Sequence, residues 1–118
     1  MNFNNALAGV SVHDFEAAVK WYQTLIGRPP DIVPMETVAA WQFRDGGWLE
    51  VFRDEERAGK STVILAVASL PIQLDELSRL GIPVEIVSPP NIGEVAMIAD
   101  PDGNRVVFAG PLTGVLDD

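Results

Sequence analysis

Asp45-Gly46-Gly47-Trp48-Leu49-Glu50-Val51-Phe52 reads as a tight turn running into a short strand, with one carboxylate between aromatic neighbours. The period of two in a strand sends Trp48, Glu50 and Phe52 to one face and Leu49 and Val51 to the other. A near copy returns late in the chain as Asp102-Gly103-Asn104-Arg105-Val106-Val107-Phe108, in which Val107 stands where Glu50 stood. The chain is therefore expected to contain two copies of one unit.

The flanking sequence agrees. Ala6-Leu7-Ala8-Gly9-Val10-Ser11-Val12 alternates as a half-buried strand does, and Asp14 has the character of a helix N-cap, its carboxylate able to accept from the free amides of the next turn. Phe15, Ala18, Val19, Tyr22, Leu25 and Ile26 then follow helical spacing to a stop at Gly27 and Pro29-Pro30. Residues 33–43 are expected to hold one longer or two shorter strands before the turn. A charged segment at 54–60 reads as a solvated linker. Beyond it come a strand at 61–68, a helix opened by Pro71 and stopped by Gly81, and strands at 83–87, 94–99 and 105–109. Val67 answers to Val12, Gly81 to Gly27 and Gly103 to Gly46 at a nearly constant offset. The expected organisation is a single domain, 1–118, made of two repeats at about 5–53 and 61–110, with an irregular tail at 111–118. Each half has trouble burying its own apolar surface, so the two are expected to pack together, within one chain or across a dimer, with a groove between them as the natural site.

Composition removes several function classes. The formal charge is −9 and the sequence pI is near 4.4, which argues against nucleic acid and against anionic membrane surfaces as partners. There is no cysteine and a single histidine, His13, so thiolate chemistry is excluded and imidazole chemistry has little to draw on. The N-terminus carries no secretory pattern and no run is apolar enough to span a bilayer, so a cytoplasmic location is expected. No phosphate-cradling loop and no nucleophile elbow occurs. Asp100-Pro101-Asp102-Gly103-Asn104 lacks the ligand spacing of a calcium loop and is read as a turn.

With the paired turn-strand phrases, the helix ending Leu25-Ile26-Gly27 and the Asp-Pro-Asp-Gly-Asn segment in view, the chain resembles the vicinal oxygen chelate superfamily. This is the glyoxalase, bleomycin resistance and dioxygenase group, and the resemblance covers nearly the whole chain. It implies an α+β fold of two tandem βαβββ modules forming a cupped mixed sheet with helices on the outside. In the enzymes of that superfamily four side chains, one from the first and one from the last strand of each module, hold a divalent metal. Here those positions fall at Leu7, Glu50, Thr62 and Val107, so one ligand of four is present.

That departure turns the expectation away from metal chemistry, since a catalytic ion needs about three protein ligands. No cofactor, no metal and no catalytic residue is assigned. The expected function is metal-independent binding or sequestration of a small aromatic or cationic molecule in the inter-module cleft, by a protein that is a homodimer. The candidate ligand-binding residues are Glu50, Trp48, Phe52, Arg105, Thr62, Val107, Leu7 and Trp41, with Arg105 also the candidate partner of Glu50. Trp41 joins the face of Trp48 if the intervening hairpin loop has two residues, and leaves it if the loop has three. The alternative is a lyase, isomerase or dioxygenase-type enzyme in which Glu50 is a base or part of an atypical metal site. A purely regulatory or interaction role is a third possibility, favoured by a cleft filled with side chains.

Overall fold

The computed structural model of the chain describes residues 1–90 and 93–111. Its elements follow the order β1 (Leu7–Val12), α1 (Phe15–Ile26), β2 (Ile32–Met35), β3 (Val38–Gln42), β4 (Trp48–Arg53), β5 (Thr62–Ala66), α2 (Leu70–Arg79), β6 (Glu85–Val87), β7 (Val95–Ala99) and β8 (Arg105–Ala109). These are two βαβββ modules of an α+β fold, as the repeat implied. Each module makes a four-stranded mixed sheet, β1-β4-β3-β2 in the first and β5-β8-β7-β6 in the second. Within each, the first and last strands run parallel and the hairpin strands antiparallel. No helix among the described residues is long and apolar enough to cross a membrane. The tail expected to be irregular lies, apart from Pro111, outside the described residues.

Local chemistry explains the boundaries. The Asp14 carboxylate accepts from the Ala17 amide at 3.1 Å, and Gly27, at φ 91°, takes the left-handed conformation that ends α1. Ser69 caps α2 in the same manner, so the first helical residue is Leu70, one ahead of the Pro71 start expected from the sequence alone. The 33–43 stretch resolves into two strands, β2 and β3. Asp31 pins the start of β2 by accepting from the Arg28 guanidinium at 2.7 Å and from the Gln42 amide at 2.6 Å. These bonds, that to Arg28 foremost, hold its carboxyl below the usual carboxylate range.

In the first module α1 covers one face of the sheet. Ala18 and Tyr22 of the helix are buried together with Val10, Val12, Trp41, Leu49 and Val51 of the sheet. The Tyr22 and Trp41 rings lie 6.5 Å apart at 45°, and the edge of Trp21 meets Tyr22 at 4.8 Å. In the second module Leu70 and Leu77 of α2 are buried together with Val63, Ala96, Ile98, Val106 and Phe108 of the sheet. Alternation along β4 and β8 thus places every second residue in a core and leaves the others on the opposite face.

The chain divides into two compact units, and the first of these, Met1–Ser61, also takes in Asp100–Asn104. The turn read from sequence as a simple reversal is held there by a buried polar network. Asp100, 4% exposed, accepts from the Tyr22 hydroxyl and the Asn104 side-chain amide, both at 2.8 Å, and from the backbone amides of Asp102 and Asn104, both at 2.9 Å. Asn104, fully buried, also donates to the Ser11 carbonyl and accepts from the Ser61 amide, each at 2.8 Å. Ser11 completes the set by donating its own amide to the Ser61 hydroxyl at 3.0 Å, so both backbone groups of this residue on edge strand β1 are satisfied. Nearby, Gly59 is required twice over, by its φ of 84° and by the Asp102 carbonyl oxygen, which occupies the space a Cβ would need.

Burial, and next the charge of Asp100, push the Tyr22 hydroxyl far above the ordinary tyrosine range. A raised folded value means that the unfolded chain ionises first, so stability is intact below about pH 10 and falls as pH rises beyond it. Tyr22 is the only tyrosine in the chain. Its tyrosinate absorbance is therefore expected to stay absent while the protein is folded and to appear together with the loss of near-ultraviolet dichroism. Smooth ionisation near the free-tyrosine value in folded protein would contradict this burial.

Candidate functional site

The face of the first sheet turned away from α1 carries the candidate site. Cross-strand pairing orders it into three rows: Leu7, Trp48 and Gln42; then Gly9, Glu50, Ala40 and Ile32; then Ser11, Phe52, Val38 and Met35. Leu7, Trp48, Glu50 and Phe52 are brought together here as the alternation of β1 and β4 required. Trp48, Glu50 and Phe52 are each half-buried, while Leu49 and Val51 between them are buried. The row members Leu7, Ile32 and Met35 are 55%, 48% and 64% exposed, whereas Ala40 and Ser11 are buried, so this face is apolar and open over part of its extent.

Trp41 does not belong to it. Between β3 and β4, Phe43 and Gly47 close a three-residue loop, Arg44-Asp45-Gly46, with hydrogen bonds from the Phe43 amide to the Gly47 carbonyl at 2.8 Å and from the Gly46 amide to the Phe43 carbonyl at 3.0 Å. Gly46 takes a φ of 102°, as the last residue of such a loop does. The register that follows pairs Trp41 with Leu49 and places it on the α1 side, fully buried, its indole N–H donating to the Arg28 carbonyl at 2.9 Å. Of the two outcomes left open by the sequence, the three-residue loop holds, and Trp41 is corrected from site residue to core residue.

The second sheet repeats the arrangement on its own open face. Thr62 pairs with Arg105, and Ile64 with Val107, which in turn pairs with Met97. Thr62 and Arg105 are exposed, Ile64 is 63% exposed and Val107 is half-buried. Thr62, Arg105 and Val107 therefore share a face, as expected, within the second module.

Glu50 is the only ionisable group in the three rows of the first face. Its carboxylate has no hydrogen-bond or ion-pair partner among the described residues. The ion pairs found there join Arg28 to Asp31, Arg53 to Glu55, Arg57 to Asp54, Arg79 to Asp75 and, at 3.5 Å, His13 to Glu55. Those are exposed pairs of small energetic consequence, and His13 stands at the helix start with its amide 3.3 Å from an Asp102 carboxylate oxygen. No group of three or more His, Asp or Glu able to hold a metal occurs among the described residues. Reading the sequence missed Ala40, Ile32 and Met35 as members of the face, because their side follows from the loop length. The run Arg44-Asp45-Gly46, with glycine third, was the signal that could have placed them.

No protein-family model matches the sequence, and no curated protein matches it. The structure is similar to that of a glyoxalase/bleomycin resistance protein from Catenulispora acidiphila, with 35% identity, a TM-score of 0.80, and coverage of 91% of this chain and 98% of that one. It is similar also to a bleomycin-binding protein from bleomycin-producing Streptomyces verticillus, complexed with copper(II)-bleomycin, at 19% identity and a TM-score of 0.78, covering 94% of this chain and 98% of that one. A lactoylglutathione lyase from Agrobacterium tumefaciens shares the fold at 17% identity and a TM-score of 0.75, with 90% and 92% covered.

Proposed function

Because this chain belongs to the glyoxalase/bleomycin resistance protein family of the vicinal oxygen chelate superfamily, we propose that it binds a small aromatic or cationic molecule without a metal ion, on the open face that holds Glu50. The observation that carries this reading is a half-buried carboxylate without a partner among the described residues, flanked along its strand by Trp48 and Phe52. A half-buried acid gains from a cation or from hydrogen-bond donors brought by a ligand, and aromatic faces add cation–π and stacking contacts to the same ligand. The bleomycin-binding protein of Streptomyces verticillus supports the reading as a member of this fold that holds an antibiotic.

The donor set does not fit the divalent ion of the superfamily's enzymes. Leu7 and Val107 offer hydrocarbon where ligands are needed, Thr62 offers a neutral hydroxyl, and Glu50 alone carries charge. A hard or borderline cation held by one carboxylate would be lost to water. The exposed Leu7, Ile32, Met35 and Ile64 favour a homodimer that covers part of these faces. Sedimentation equilibrium is expected to return twice the 12.8 kDa chain mass.

Thermal-shift screening against cationic and aromatic antibiotics and metabolites, with a chelator and with added zinc, nickel or manganese, tests the function. A ligand that binds the native state alone raises the melting temperature. The expected hits are aromatic cations whose shift is the same in chelator. Hits confined to metal-loaded samples would replace this reading with the atypical metal site.

A further inference from the structure

Resting on the reading of the Glu50 face as a binding surface, we infer that Gly9 is its specificity-determining residue and that it selects flat aromatic cations over globular ones. The row through Glu50 is the narrow one. Its two cross-strand partners on that face are Gly9 on β1 and Ala40 on β3, the smallest residues available, whereas the neighbouring rows carry Leu7, Trp48 and Gln42 on one side and Phe52 and Val38 on the other. The carboxylate thus lies beside a gap at the β1 end of its row, where Gly9 is exposed, while Ala40 is buried and Ile32 stands at the other end; aromatic residues precede and follow it along β4.

The Phe52 ring depends on that missing side chain. Cross-strand pairing sets Phe52 beside Ser11, yet its ring reaches back over Gly9: a Cβ at position 9 would stand 3.1 Å from the ring Cε1 and 3.7 Å from Cζ. The first distance is tighter than most Cβ contacts, so a side chain at 9 requires the ring to give by a few tenths of an ångström, and a larger one by more. The backbone gives no other reason for glycine there. Gly9 lies inside a strand and is not among the glycines with positive φ, and glycine in a strand lowers its stability. Close approach is the remaining use of a strand glycine, and here what approaches is a ring beside an unpaired carboxylate. A planar cation can approach from the exposed Gly9, stack on the ring and bring its charge to Glu50. A globular cation of equal charge meets the walls first.

Isothermal titration of proflavine (flat and cationic), acridone (flat and neutral) and tetraethylammonium (globular and cationic) separates these contributions. Wild type is expected to bind proflavine more tightly than either of the others. Gly9→Val is expected to weaken proflavine binding about tenfold or more, the usual effect of crowding a close-fitting apolar site. Gly9→Ala fits an extended strand without backbone strain, so it stands in should the valine variant fold poorly; it should weaken binding in the same direction while melting near wild type. In a Phe52→Leu background, with no ring to displace, Gly9→Ala should have no further effect, the signature of coupled residues. Equal proflavine affinity in wild type and Gly9→Val, or tetraethylammonium binding as tight as proflavine, would overturn the inference and leave the open-face reading standing. Wild type that binds none of the three, or proflavine binding unchanged by Glu50→Gln, would overturn that reading and the inference with it.

Discussion

Asp100→Ala is expected to destabilise the protein by about 3 kcal/mol or more, since hydrogen bonds to a charged group each contribute about 1.5–3 kcal/mol and the buried donors left behind lose their acceptor. The Asp100 carboxylate is the hub of the network that holds residues 100–104 in the first compact unit. It accepts from Tyr22, from the Asn104 side chain and from two backbone amides, and it is 4% exposed. Removing it strands the Tyr22 hydroxyl, which is fully buried beneath α1. Urea denaturation of wild type, Asp100→Ala and Tyr22→Phe measures this directly. Tyr22→Phe should cost less than Asp100→Ala, because it removes one donor and leaves the other three bonds in place. A loss below about 1 kcal/mol in the alanine variant, the range of an ordinary single hydrogen bond, would mean that water replaces the carboxylate and that the network is not what holds the turn.

The second large effect concerns binding. Glu50→Gln preserves the size of the side chain and removes its charge, so a ligand cation loses its partner while stacking on Trp48 and Phe52 continues. A charge-assisted hydrogen bond of about 1.5–3 kcal/mol corresponds to a loss of affinity of roughly tenfold to a hundredfold. Stability should change little, because the carboxylate is half-exposed and has no partner among the described residues. Neutral aromatic ligands should bind the variant as well as wild type, or slightly better once the desolvation of the acid is gone. Titration of a cationic ligand and its neutral isostere against both proteins separates these effects. A large loss of melting temperature with unchanged affinity would assign Glu50 a structural role.

The degree to which the sequence foretold these results follows from how far each signal reaches along the chain. The helix over Phe15–Ile26 was legible because its cap, its apolar stripe and its terminal glycine are all local. The shared face of Leu7, Trp48, Glu50 and Phe52 was legible because alternation within β1 and β4 fixes it, given the cupped sheet that the family resemblance implied. Trp41 was undecided for a physical reason: one residue more or less in the hairpin loop reverses every side chain of the next strand. The Asp100 network was missed because its partners are remote, Tyr22 by 78 positions and Ser11, through Asn104, by 93. Nothing in Asp-Pro-Asp-Gly-Asn as a local phrase distinguishes a turn that merely reverses the chain from one that anchors it. The use of Gly9 became apparent only with the Phe52 ring in position over it.

That Glu50 grips a ligand cation, with no metal between them, is tested most directly by calorimetric titration of the strongest cationic hit against wild type and Glu50→Gln in the presence of a chelator. The expected result is stoichiometric binding by wild type in chelator and an affinity at least about tenfold weaker in the variant. Binding that vanishes in chelator and returns with a divalent ion, or equal affinity in the two proteins, would contradict it.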